Sequence, residues 1–283
     1  RSTPSTAPAD RPPPPRCASH SWDSHSWGTG RTPVPAQPER QAGVPAGGGV
    51  SHLAALAAGK APPRGQLPPP ADASETWLKP SPLHVLLLFS GPCESESALP
   101  ALLRRAGCAV TAVDTKLGGA AHDVLRPGVG PPLLQRIRAA EFDAVFLATP
   151  CSSVRHTPRL RSAAEPEGIT PVPAEWRAYV EKHNLLADFS ALAIDACRAT
   201  RTPVGLENPA DRGVGTSPAY WAEHAEHGSL WRMPCVARAL GAYRASFATF
   251  AQCSFAAPAQ KWTTIASAGG LEAPLAGLGT ARY

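Results

Sequence analysis

The sequence predicts an α/β domain built on a doubly wound, mostly parallel sheet, standing behind a disordered Pro-rich leader. Three observations lead there. Prolines crowd the first part of the chain, 16 of the 33 falling within residues 1–80. Large apolar residues are scarce in that stretch and no helical or strand period persists, so it cannot bury a core. From Leu83 onward, short apolar runs alternate with helical patterns, the signature of βαβ units. Each apolar run also ends in a small or polar cluster, as buried strands do when they deliver residues to the carboxyl edge of a sheet. The 283 residues therefore divide into a leader, 1–80, and one domain, 81–283, of ordinary size for a single fold.

The first strand is the run Leu83-His84-Val85-Leu86-Leu87-Leu88-Phe89, closed by Ser90-Gly91-Pro92. Leu99, Leu102 and Leu103 recur at helical spacing up to Gly107, which is placed to stop that helix. Residues Cys108 to Val113 form the second strand, ending on Asp114, and Leu133 to Ile137 read as an amphipathic helix. Phe142 to Ala148 make a third strand that runs into Thr149-Pro150-Cys151-Ser152-Ser153. After a basic, Pro-interrupted loop, a long helix is expected from Ala174 to Arg198, with Trp176, Val180, Leu185, Phe189, Leu192 and Ala196 on its apolar face. Pro203-Val204-Gly205-Leu206 is a fourth strand leading to Glu207-Asn208-Pro209. Every polar signal in this series sits at a carboxyl end, where open α/β sheets bind their ligands.

Composition excludes other classes. No run of about 18 apolar residues exists, so a membrane span is not expected. The seven Cys are odd in number and widely spaced, unlike a secreted disulfide scaffold, and fit a reducing compartment. No pair of ligands has structural-zinc spacing, and His224, His227 and Cys235 are too loosely placed for a metal, so none is expected. The net charge of +5 is too mild to imply nonspecific nucleic-acid binding by itself. In the leader, Pro12 to Pro15 and Pro68 to Pro70 favour polyproline II, either a stiff spacer or a ligand for a proline-binding protein partner. A Ser-His-Ser-Trp repeat at Ser19–Trp22 and Ser24–Trp27 reads as low complexity. The chain begins with Arg1 rather than Met, as a fragment or a processed product would.

The strand ends together resemble the cytosine carbon-5 DNA methyltransferases, in particular their compact phage-like and algal relatives. Leu88-Phe89-Ser90-Gly91 is similar to that family's first motif, Thr149-Pro150-Cys151 to its Pro-Pro-Cys loop, and Leu206-Glu207-Asn208-Pro209 to its Glu-Asn motif. Phe250-Ala251-Gln252-Cys253 with Gln260-Lys261-Trp262-Thr263-Thr264 resembles the later strand pair of the compact relatives. The match spans most of residues 83–267 and none of the leader. It implies a Rossmann-like methyltransferase fold and S-adenosylmethionine as cofactor.

The resemblance also assigns roles. Carbon 5 of cytosine is a poor nucleophile, so the family adds a thiolate to carbon 6 first. Cys151 would be that thiolate, favoured by a helix N-terminus or by Arg155. Glu207 would protonate or hydrogen-bond the ring nitrogen, with Asn208 and Pro209 fixing its carboxyl group. Phe89, Ser90, Gly91 and Pro150 would lie along the cofactor, Asp114 would accept from its ribose hydroxyls and Asp123 from its adenine amino group. For each Asp a helix cap or turn is the competing reading. Arg155, Arg159 and Lys261 would contact nucleic acid, and Arg161 joins the first two either on a solvated loop face or on phosphates.

The implied partner is DNA, with RNA as the other polynucleotide the chemistry admits; the target base must be flipped out or unpaired. A DNA substrate favours the nucleus, while a leader rich in Arg, Ser and Ala overlaps in composition with organelle transit peptides. Only about sixty residues separate Glu207 from the last strand, too few for a separate sequence-reading domain. Tyr220, Trp221, His224, His227 and Trp231 in that interval either stack on bases or pack a lid helix against the sheet. Cys93, Cys108, Cys197 and Cys253 read as small buried hydrophobes. The competing functional reading is an idle methyltransferase-like module of a mobile-element polyprotein that binds nucleic acid or serves as a scaffold.

Overall fold

The computed structural model describes residues 82–280 except 92–94, 155–159, 256 and 258–259. The leader with its Pro-rich segments and repeat, and the predicted contacts Arg155 and Arg159, lie outside the described residues.

Six strands form one sheet: β1 (His84–Leu88), β2 (Ala109–Val113), β3 (Ala144–Leu147), β4 (Val204–Pro209), β5 (Ser246–Ala251) and β6 (Trp262–Ala268). Their order is β2-β1-β3-β4-β6-β5. The first four run parallel; β6 is antiparallel to β4 and β5 antiparallel to β6. The predicted α/β class and the mostly parallel sheet are both present, in an arrangement compatible with a Rossmann-like fold. The order reverses beside β1: the chain leaves it toward β2, then returns to its other side as β3. Such a switch point opens a crevice at the carboxyl ends of the two strands.

The helices are α1 (Leu99–Arg105), α2 (Thr115–Gly118), α3 (Gly130–Arg138), α4 (Arg177–Thr200), α5 (Pro234–Ala242) and α6 (Glu272–Ala276). Helix α4 packs against both α3 and α5. With the sheet they enclose a core that includes Leu86, Leu88, Leu134, Ile137, Val145, Leu147, Phe189, Ile194 and Leu206. Each such side chain contributes roughly 1.5–3 kcal/mol of transfer free energy. Gly205 sits opposite Phe146 in the ladder, and a Cβ there would lie 2.6 Å from the Phe146 ring. The ring occupies the space that any larger residue would need.

Two helices differ in detail from their sequence patterns. Helix α1 ends in a Schellman motif, Cys108 N donating to Leu103 O and Gly107 N to Arg104 O, with Gly107 at φ +85° as its position predicts. The leucines at helical spacing point largely outward: Leu99 and Leu102 are exposed, while Pro100 is buried. In α4 the buried set is Leu186 rather than Leu185 and Ile194 rather than Leu192, and it includes the polar His183 and Ser190. A helix flanked by two others and a sheet is covered over most of its circumference, so a single apolar stripe understates its contacts.

Candidate functional site

Strand β4 outruns its neighbour. Pairing with β3 ends at Leu147 opposite Leu206, while Glu207, Asn208 and Pro209 pair only with Ile265, Thr264 and Thr263 of β6. The Glu-Asn pair therefore stands past the tip of β3, beside the loop that carries Cys151. Successive strand residues point to opposite faces, so Glu207 and Asn208 have separate partners. Asn208, 1% exposed, donates from Nδ2 to the Thr149 carbonyl at 2.7 Å. The expected task of aiming the Glu207 carboxyl group does not fall to this amide, which instead ties the Cys151 loop to β4.

Three further side chains hold that loop. Ser190 donates its hydroxyl proton to the Leu186 carbonyl at 2.8 Å, so the Thr149 hydroxyl is the donor in its 2.8 Å bond to Ser190. His183 Nδ1 lies 2.8 Å from the Tyr179 carbonyl, which can only accept, and so carries the ring proton. In the neutral ring Nε2 is then the acceptor for the Ser152 hydroxyl, 2.8 Å away. Burial pushes the His183 pKa below its ordinary 6.5; the Tyr179 bond works the other way, while Arg161 and Lys182 add to the lowering. Arg161 completes the set, Nε donating to Ser153 Oγ at 3.1 Å and the guanidinium reaching the carbonyls of Pro166 and Val180.

Arg161 corrects an expectation. At 1% exposure it is neither on a solvated loop face nor free to bind phosphates. Burial brings its pKa down to about 10 against the opposing effect of Glu167, so it remains a cation at neutral pH. Cys151 itself is half-buried, between residues fixed on both sides. Burial pushes the Cys197 thiol up to about 12, and burial together with Asp188 does the same for Cys235. Cys108 and Cys253 are only half-buried, against the expectation of buried hydrophobes, and Cys93 lies outside the described residues.

On the other face of β4, Lys261 Nζ lies 3.2 Å from Glu207 Oε1. Lys261 precedes β6, which runs back along β4, so the sheet register delivers it to the same edge. The Glu207 side chain is 21% exposed and that of Lys261 46%, leaving the carboxyl group sheltered and the ammonium open to an incoming group.

At the switch point, the β1 tip has unusual backbone. Phe89 has φ +61° and Gly91 φ +71°, and the buried Ser90 hydroxyl oxygen has no hydrogen-bond partner among the described residues. A left-handed Phe is uncommon and is found where the surroundings hold it there. Asp114 connects the tips of β1 and β2, its Oδ2 accepting from Gly91 N at 2.8 Å and its Oδ1 capping α2 through Lys116 N at 2.7 Å. Asp123 Oδ1 accepts from Leu125 N at 3.1 Å, a local turn. The cap and turn readings thus hold for both residues, and each carboxylate keeps lone pairs for a ligand.

The interval after Glu207 is organised by Asp211. It accepts from Ser229 Oγ at 2.8 Å, from Arg232 Nε at 2.6 Å and from Gly213 N at 2.8 Å. Burial acts to raise its pKa, but His227, Arg232, Ser229 and Gly213 outweigh that and hold the carboxyl well below the usual range. Trp231 does pack back, its Nε1 donating to Pro209 O at 2.8 Å. Tyr220 and Trp221 do not: they are 46% and 47% exposed. Among the described residues no group of three His, Cys, Asp or Glu is placed to hold a metal ion, and no helix is long and apolar enough to cross a membrane. An open groove elsewhere, lined by Thr216, Phe247, Thr249, Ser267 and Glu272 among others, contains none of the predicted site residues.

His183, Ser190 and Asp211 carry no motif. The spacing of His183 and Ser190, seven residues or about two helical turns apart on α4, was the available signal that both share a face. Compared with protein families, with curated proteins and with solved structures, the chain matches none.

Proposed function

We propose that the protein transfers a methyl group from S-adenosylmethionine to carbon 5 of cytosine in DNA. The observation that carries this reading is the Asn208–Thr149 hydrogen bond, which fixes a thiol-bearing loop against the strand end that presents a carboxyl group. A nucleophile and an acid on adjoining tips of a parallel sheet, beside its switch point, suit addition across a ring double bond. The finer reading of the sheet as a doubly wound methyltransferase fold belongs to the same proposal.

In this reading Cys151, having lost its thiol proton to water, adds through sulfur to carbon 6, and Glu207, entering the step as the neutral carboxyl, gives its proton to the ring nitrogen. Lys261 then compensates the carboxylate charge left behind. The cofactor, when bound, supplies an electrophilic methyl group on a sulfonium sulfur. The residues at the β1 tip suit such a group: among the described residues the buried Ser90 hydroxyl has no partner, Phe89 and Gly91 have left-handed backbone, and Asp114 and Asp123 keep acceptor capacity for ribose and adenine. Pro150 borders the same edge. Release needs loss of the carbon-5 proton to water, expulsion of the Cys151 thiolate and return of the ring proton to Glu207. His183 and Arg161 act as positioning residues through Ser152 and Ser153.

Incubating the full chain with S-adenosylmethionine and DNA containing 5-fluorocytosine tests the reading, because fluorine blocks the final elimination. A covalent protein–DNA adduct is expected, and it should vanish in Cys151→Ala. No adduct in the parent protein would sink the catalytic claim and favour the idle nucleic-acid-binding module.

A further inference from the structure

We infer that Trp221, Tyr220 and Arg212, on the loop that leaves the end of β4, form a stacking platform for unpaired bases of a single-stranded polynucleotide. The inference rests on the polynucleotide reading above and names a surface that the methyl-transfer chemistry does not use. Tyr220 and Trp221 are adjacent and about half exposed. The Arg212 guanidinium lies over the Trp221 ring, 5.7 Å from its centroid, and the His224 ring meets the same indole edge-on at 5.8 Å. Among the described residues the Arg212 guanidinium has no carboxylate and no hydrogen-bond acceptor, and burial lowers its pKa. A cation held against an indole with no anion of its own is half of a nucleic-acid contact: the ring supplies a π face and the guanidinium awaits a phosphate.

The platform is anchored from below. Arg212 follows Pro209 by three residues, and the Trp221 amide donates to the Arg212 carbonyl at 3.0 Å, closing the segment into a loop. The Asp211 bonds to Ser229 and Arg232, with Trp231 on Pro209, fasten that loop to the end of β4. Aromatic residues so firmly based would be expected to turn inward if their purpose were packing. Trp231 does, and Tyr220 and Trp221 do not. The exposed acids Glu223 and Glu226 sit on the same segment, so the surface is no cationic field. Its occupant is gripped through base faces, with about one phosphate contact. A base beside a flipped-out or unpaired cytosine loses a stacking neighbour, and the indole replaces it.

Polarisation of a fluorescein-labelled single-stranded 12-mer, titrated with the full chain, tests the platform. Trp221→Ala should weaken binding about ten- to hundredfold while Trp221→Phe largely restores it, since stacking is worth about 1–3 kcal/mol per base. Arg212→Gln should make the slope of log affinity against log salt shallower by about 0.7, one phosphate's worth, whereas Trp221→Ala should leave the slope alone. A 12-mer of abasic residues should bind the parent as weakly as the normal 12-mer binds Trp221→Ala. The platform is overturned by a Trp221→Ala variant that binds like the parent, as it would if a protein covered this face, by equal affinity for the abasic strand, or by no binding at all. Failure here with the Cys151 adduct intact removes only the platform. A working platform with no adduct removes only methyl transfer.

Discussion

The two ends of the candidate site are built to different standards of fixity. At the tips of β3 and β4, the five residues Thr149 to Ser153 are held by Asn208, Ser190, His183 and Arg161, from three separate parts of the chain. At the tips of β1 and β2, Asp114 Oδ2 accepts from Gly91 N, and among the described residues the Ser90 hydroxyl has no hydrogen-bond partner. The difference suits the two tasks proposed. A nucleophile must meet one atom at one angle, so its loop is fixed before the substrate arrives. A cofactor pocket can leave polar groups for the ligand itself to satisfy.

The contrast can be broken most severely at Arg161. Arg161→Ala strips Ser153 and two carbonyls of their donor and opens a cavity, and should cost about 3 kcal/mol or more in urea unfolding. Next is Asn208→Ala, which leaves the Thr149 carbonyl without its donor. A loss of about 1–3 kcal/mol is expected, with a larger fractional loss of adduct formation than of folded protein. Asp114→Ala should cost less, about 1 kcal/mol for a lost helix cap, while Asp114→Asn keeps most of it. Ser90→Ala is the sharpest comparison. Removing a buried hydroxyl without a partner should leave unfolding unchanged or slightly raise the midpoint, yet weaken S-adenosylmethionine binding by calorimetry.

Acid separates the two ends as well. His183 has its folded pKa lowered below the unfolded 6.5, so between those values the unfolded chain binds more protons and stability rises with pH. The His183 contribution is whole above about pH 6.5 and is lost as pH falls toward the folded value. Unfolding midpoints followed from pH 7.5 to 5 should therefore decline, and His183→Gln should flatten that decline. A parallel decline in both proteins would show that His183 does not hold Ser152 as a neutral ring.

What could be read from residues alone was the alternation of apolar runs and helical patterns, and the gathering of Ser90-Gly91, Asp114, Cys151 and Glu207 toward the carboxyl ends of strands. Those features depend on local period and on the chemistry of strand termini, which neighbouring residues encode. The final extent of β4 was not legible, because Glu207 to Pro209 are strand only through pairing with β6, more than fifty residues later. Nor was the burial of Arg161, which stands in a basic loop like a surface residue and turns inward to carbonyls and a serine. His183 and Ser190 lie 31 and 41 residues from the loop atoms they hold. The sequence by itself determined which polar residues stand at the carboxyl edge of the sheet. Only the tertiary structure decided which polar groups fix that edge, since a hydrogen bond between distant residues exists only once packing has brought donor and acceptor together and removed the water that would satisfy them separately.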